Sequence, residues 1–280
     1  MAGQHATASF FRRDRNEAPV SEFDRKSVLD VRNLNKTYQG SDGETIALDD
    51  VSFSVNEGEF VAIVGPSGCG KSTLLKILTG LLAKSSGELS LRGETIAKPR
   101  SDIGIVFQSP VLFPWRNVLG NILLPVDVLR RRREAYQARA LDLIDLVGLK
   151  GFERKYPWQL SGGMQQRVAI SRGLIHDPAM LLMDEPFGAL DAMTREHMNI
   201  QLQRIWMDRK KTILFITHSI PEAVFLADRV FVMTPRPGRI QAVEEIHLER
   251  PRGLEVMNTP EFGKHVRRIR DYFSAVGGLD

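Results

Sequence analysis

The sequence predicts an α/β fold built on a largely parallel sheet, and two observations carry that reading. Short apolar runs recur at residues 60–64, 180–183 and 212–216, with the length and composition of buried parallel strands. Each run ends in residues able to do chemistry: a glycine-rich stretch, then Asp184-Glu185, then Thr217-His218. Ligands of open α/β sheets bind outside the carboxyl ends of the strands. Three such ends therefore define one candidate site.

The first end is the most informative. Gly65-Pro66-Ser67-Gly68-Cys69-Gly70-Lys71-Ser72-Thr73 lies between a strand-like run and the helical stretch from Leu74. In that context G-x-x-x-x-G-K-[ST] is a phosphate cradle. Glycines let the loop fold tightly and bring backbone N–H groups against phosphate oxygens. The helix N-terminus adds unpaired N–H groups and the positive end of its dipole. Lys71 is expected on the β- and γ-phosphates, and Ser72 as a hydroxyl ligand to Mg²⁺. Cys69, beside Lys71 in this loop, is expected to be a reactive thiol that nucleotide would shield. The chain is expected to bind a nucleoside triphosphate.

Length and composition set the frame. With 280 residues the chain can bury one large core, or a core and a smaller subdomain. The formal net charge of +4 is small for this length. The run Arg130-Arg131-Arg132-Arg133 is followed by Glu134 and a helical pattern, so we read it as a solvated helix face rather than a nucleic-acid site, and an anionic membrane surface nearby would also suit it. Cys69 is the only cysteine, which suits a reducing compartment. No apolar run approaches the length of a membrane span. Arg12, Arg13 and Arg15 are followed by no apolar core, which argues against a secretory signal.

Taken in order, residues 1–26 read as a flexible tail. β-like stretches follow at 28–31, 46–48 and 51–55, with Tyr38 among them, an aromatic able to stack on a base but, taken alone, better read as a core or surface tyrosine. After the phosphate loop come strands near 89–93 and 103–107, with Gln108 just beyond the second. Residues 118–150 carry a helical pattern, with Leu141, Ile144, Leu146 and Val147 on its apolar face and Gly148 as its stop. Leu160-Ser161-Gly162-Gly163-Met164-Gln165-Gln166-Arg167 opens another helix and offers either a second phosphate contact or a simple N-cap at Ser161. Adjacent acids at a strand end repel unless a cation or proton intervenes. Asp184 suits Mg²⁺ held through water, and Glu185 suits polarising an attacking water. His218 falls at the same sheet edge. A strand at 230–233, a turn at 235–240 into a last hairpin, and a mixed, partly helical tail complete the chain.

Tyr38, the phosphate loop, Gln108, the segment 160–167, Asp184-Glu185, Ala189-Leu190-Asp191 and His218 occur in the order seen in ABC-type ATPases. From about Val28 to Gln241 the chain resembles one complete nucleotide-binding subunit of an ABC transporter, and no motif departs from the family pattern. The segment 160–165 is the most specific part, because phosphate loops occur in many other ATPases. The resemblance implies a phosphate-loop, RecA-like core at residues 27–245 with an antiparallel β subdomain, a helical subdomain at about 111–157, and a short tail at 246–280. It implies ATP and Mg²⁺ as ligands. Tyr38 would stack on adenine, and Gln108 would touch Mg²⁺ and sense the membrane partner. Ser161, Gly162 and Gly163 would contact the γ-phosphate held by a second copy of the chain, Asp191 would line that interface, and His218 would hold the γ-phosphate. The implied partners are that second copy, head-to-tail, an integral membrane permease and, indirectly, a solute-binding protein. The implied location is the cytoplasmic face of the membrane, peripherally.

Pro235-Arg236-Pro237-Gly238-Arg239-Ile240, together with Phe113-Pro114-Trp115-Arg116 after Gln108, resembles importers for nitrate, sulfonates and taurine. Other classes fit less well. DNA-repair ABC ATPases carry a long coiled coil between phosphate loop and signature, and no sustained heptads occur here. Ribosomal types usually carry two cassettes. A non-hydrolysing subunit would be expected to lack Lys71 or Glu185, and both are present. An exporter component usually has membrane spans in the same chain.

Overall fold

The structure is a computed structural model that describes residues 26–40 and 43–274. Residues 1–25, most of the expected flexible tail, lie outside the described residues.

The chain opens with two long antiparallel strands, β1 (Ser27–Gly40) and β2 (Gly43–Asn56). They replace the shorter stretches expected from alternation. Register shifts around Leu34 and Lys36 let the pair run on through polar positions, because a bulge takes up an extra residue and bends the strand. Asn33 and Asp50 both take positive φ there, and the Asn33 amide donates to Asp50 Oδ1 at 2.7 Å. Next come β3 (Phe60–Val64), α1 (Lys71–Leu78), β4 (Ser86–Leu91) and β5 (Glu94–Thr95). Strands β2-β1-β4-β5 form an antiparallel sheet.

After β6 (Ile103–Val106) the chain leaves the sheets for a helical region: α2 (Val118–Ile122), α3 (Leu124–Val128) and α4 (Glu134–Leu146). The single helical pattern expected over 118–150 is thus broken twice. Arg130 takes φ 53 after α3. The arginine run is a connection rather than a helix face: Arg133 and Arg116 both pair with Asp127 and hold its carboxyl down to about 2. Leu143 and Ile144 face inward on α4, whereas Leu141 is exposed, contrary to the apolar face assigned to it. Gly148, at φ 67, does stop this helix, and its N–H donates to Asp145.

The second half alternates strand and helix. It comprises α5 (Gly162–Leu174), β7 (Met180–Asp184), α6 (Ala192–Arg209), β8 (Thr212–Thr217), α7 (Ile220–Leu226), β9 (Arg229–Met233), β10 (Ile240–Glu245) and α8 (Pro260–Ser274). A six-stranded sheet results, ordered β10-β9-β3-β8-β7-β6, parallel except at β10.

Strand pleating divides the core. Phe60, Ala62 and Val64 of β3 point into the layer under the helices, while Val61 and Ile63 point into the layer shared with α1 and the antiparallel sheet. β8 divides likewise, Ile213 and Phe215 against Leu214 and Ile216. A strand buried on both faces reads as an unbroken apolar run. The C-terminal segment also belongs to this packing. Phe262, Val266, Ile269 and Phe273 of α8 are buried. The buried Arg252 donates to the Val224, Phe225 and Ala227 carbonyls at 2.9–3.0 Å, covering the C-terminal end of α7. Among the described residues no helix is long and apolar enough to cross a membrane.

Candidate active site

Where β3 ends, residues 65–70 turn over the N-terminus of α1. Gly70 precedes that helix at φ 106, and a Cβ there would stand 2.9 Å from the Ala47 carbonyl oxygen. Only glycine meets both conditions without strain. Lys71 is buried at the first helical position, its Nζ donating to the Gly65 and Pro66 carbonyls at 2.7 and 2.9 Å. A cavity of about 470 Å³ opens above the loop. Ser67, Gly68, Gly70, Lys71, Ser72 and Thr73 line it from below. Tyr38 of β1 lines it from the side, its hydroxyl 3.3 Å from Thr73 Oγ1.

Glu185 reaches the same cavity from the end of β7. It sits at φ 43 with its N–H donating to Ile216 O, so the chain turns sharply and the carboxylate leaves the sheet edge. His218, just past β8, places Nδ1 2.9 Å from Glu185 Oε2. Asp184 is half-buried, and burial followed by repulsion from Glu185 pushes its carboxyl above the ordinary range. Gln108 follows β6, and its amide nitrogen lies 3.2 Å from where a Cβ on Gly188 would stand, which brings it to the turn after Glu185. A hydroxyl and carboxylates are hard oxygen donors, the kind Mg²⁺ takes. Ser72 and Asp184 fit that group.

The glycine-rich segment 161–163 stands apart. Ser161 caps α5, accepting from Met164 N at 3.3 Å, and is exposed together with Gly162. Ser161 and Gly163 line a separate cavity of about 320 Å³ with Thr194 and His197. Asp191 caps α6 by accepting from Thr194 N. Within one chain, then, these residues are not part of the Lys71 cavity.

Cys69 requires a correction. It is fully buried, its sulfur in the apolar layer with Leu74 and Met233, and burial pushes the thiol pKa up despite the nearby Lys71 ammonium. The loop presents its backbone outward and this side chain inward. We expect negligible maleimide labelling of the folded chain, with or without ATP, and full labelling in denaturant. Mass spectrometry of both samples checks this, and rapid labelling under native conditions would contradict the placement. Thr45, Ala47 and Arg236 also line the cavity above the phosphate loop, a role the sequence does not show. Arg236 lies in a stretch that reads as a turn and as a mark of the importer subfamily, and nothing local ties that turn to the phosphate loop.

A phosphate loop at a parallel-sheet edge, faced by a carboxylate and a histidine from neighbouring strand ends, defines a phosphate-loop ATPase. The family model described as ABC transporter matches residues 48–188. The aliphatic sulfonates import ATP-binding protein SsuB of Bacillus cereus is 41% identical, over 90% of this chain and 98% of its own. The taurine import ATP-binding protein TauB of Rhizobium johnstonii is 48% identical, over 77% of this chain and 82% of its own. Among solved structures, the dimeric post-hydrolysis state of the ATP-binding cassette MJ0796 bound to ADP and Pi superposes with a TM-score of 0.67 at 33% identity, covering 79% of this chain and 100% of that one. The chain belongs to the ABC transporter family, as one of its ATP-hydrolysing, ATP-binding subunits.

Proposed function

We propose that this subunit energises import of a small solute of the nitrate, sulfonate or taurine kind through a separate permease, working with a second copy at the cytoplasmic face of the membrane. A solute-binding protein would deliver the solute on the other side. The observation that carries the ATPase step is the meeting of Lys71 and Glu185, from different strand ends, at one cavity. Lys71 and the loop N–H groups hold the phosphates, Glu185 polarises water in line with the γ-phosphate, and His218 orients Glu185. Ser72, Asp184 and Gln108 would hold Mg²⁺, which when bound neutralises charge on the phosphates. The names of the relatives support the solute class.

Two features support the partners. Ser161 and Gly162 are exposed and lie outside their own chain's Lys71 cavity, which leaves them free for a contact made in trans. A largely apolar groove of about 650 Å³ is lined by Phe107, Val111, Phe113, Val128 and Leu129, directly before and after Gln108 in the chain and across α3. It offers a permease a surface tied to the site through the Phe107-Gln108 step.

The test uses Asp184→Asn in the purified chain. Wild type should hydrolyse ATP in a Mg²⁺-dependent way, and the variant should need far more Mg²⁺. The folded wild type desolvates a carboxylate and sets it beside Glu185, so its carboxyl pKa lies above that of the unfolded chain. The raised carboxyl costs stability as pH rises through its folded pKa, and the cost vanishes once both states are protonated. The nucleotide-free variant should therefore melt higher at pH 7, with the gain shrinking as pH falls into the carboxylate range. Unchanged Mg²⁺ dependence of hydrolysis would remove Asp184 from the metal site.

A further inference from the structure

The connection between β9 and β10 is built into the nucleotide cavity. It closes on itself: Thr234 N donates to Arg239 O at 3.0 Å, Thr234 Oγ1 donates to Pro237 O at 2.8 Å, and Arg239 N donates to Thr234 Oγ1 at 3.0 Å. It is also tied to β2. Gly238 N donates to Ala47 O and Asp49 N to Gly238 O, both at 3.0 Å, and the Arg239 guanidinium pairs with Asp49. Gly238 lies hard against the phosphate loop, since a Cβ there would stand 2.1 Å from the Cys69 carbonyl oxygen. The same Ala47 carbonyl that receives the Gly238 N–H limits Gly70 to glycine. Phosphate loop, β2 and this connection therefore keep one another in place.

That fixed connection presents Arg236 to the cavity. Arg239, three residues on, is committed to Asp49, whereas Arg236 is exposed and lines the cavity beside Tyr38, Thr45 and the phosphate loop. The lining holds two cations, Arg236 and Lys71, and Lys71 is buried under the loop with its donors on Gly65 and Pro66. A planar guanidinium presents a fork of N–H donors that matches phosphate oxygens, and charge-assisted bonds of this kind are the strong ones. A nucleoside triphosphate brings several negative charges into the cavity, next to Glu185, which adds another.

We propose that Arg236 is a nucleotide-binding residue that contacts the phosphate chain of the ATP held by its own subunit, supplementing Lys71. The connection 234–239 fixes the backbone that carries it at the cavity. The proposal rests on the reading of this cavity as the ATP site.

The experiment measures equilibrium binding of ATP, ADP and adenosine to wild type, Arg236→Ala and Arg236→Lys at low and moderate salt. Arg236→Ala should weaken ATP about tenfold, the loss expected for one partly exposed charge-assisted contact. ADP should weaken by a similar or smaller factor and adenosine should be unchanged. Arg236→Lys should recover part of the ATP affinity, and the alanine variant should show a shallower dependence on salt. The side chain is exposed, so melting temperature should not move. ATP affinity unchanged in Arg236→Ala overturns the proposal. Equal losses for ATP and adenosine overturn it as well, because the contact would then be to base or ribose. Wild type that binds adenosine but gains nothing from the phosphates would instead overturn the reading of the cavity itself.

Discussion

Glu185→Gln should lower ATP hydrolysis by roughly a hundredfold or more while leaving ATP binding intact. The amide keeps the size of the side chain and its place at the end of β7, where residue 185 takes φ 43 and donates its N–H to Ile216 O. Glutamine meets those backbone demands as well as glutamate does. It lacks the negative oxygen that polarises water and that faces His218 Nδ1 at 2.9 Å. Lys71, Ser72 and the loop N–H groups are untouched, so nucleotide should still enter the cavity. Bound ATP that is not consumed should then hold two chains together. Gel filtration with ATP should show the dimer, with one nucleotide per chain. A variant that hydrolyses ATP within a few-fold of wild type would remove Glu185 from its role. Confirmed ATP binding with monomer alone would count against pairing around nucleotide.

Much of the architecture is legible because it rests on short-range patterns. β3, β7 and β8 are buried on both faces, so they appear as unbroken apolar runs, and their chemical residues follow directly at the strand ends. Where tertiary packing decides, local pattern fails. Alternation cannot show that bulges at Leu34 and Lys36 carry β1 and β2 on for fourteen residues each. The helical periodicity over 118–150 is real, but Pro125 at the start of α3 and the left-handed Arg130 divide it. Spacing also gives no inside or outside to a loop. Cys69 therefore reads as a reactive thiol beside Lys71, although the loop turns it down among Leu74 and Met233. Arg236 was hidden for a related reason. It is some 165 residues from the phosphate loop in sequence, and only the bridge from Gly238 to β2 brings it to the cavity.

A mixed pair of Lys71→Ala and Ser161→Arg chains should regain up to about half of the wild-type ATPase capacity, although each variant alone should be inactive. Lys71 lines the cavity of its own chain, whereas Ser161 is exposed in a different cavity and has no part in its own chain's Lys71 site. If Ser161 serves the nucleotide of the second copy, the mixed pair concentrates both lesions in one composite site. The other site then holds an intact Lys71 from one chain and an intact Ser161 from the other. Both sets of donors are needed at once to stabilise charge on the γ-phosphate. The two substitutions should leave folded chains. Ser161→Arg removes the cap bond to Met164 N, at a cost of about 1 kcal/mol, and Lys71→Ala removes two donors to loop carbonyls without altering the apolar layers. Strict alternation between the sites could mask recovered turnover, so nucleotide occupancy has to be counted beside it. The mixed pair should hold one ATP per dimer enclosed between Lys71 and Ser161, a site that neither variant alone can assemble. A folded mixed dimer with no intact site by either measure would refute sharing in trans and confine Ser161 to capping α5.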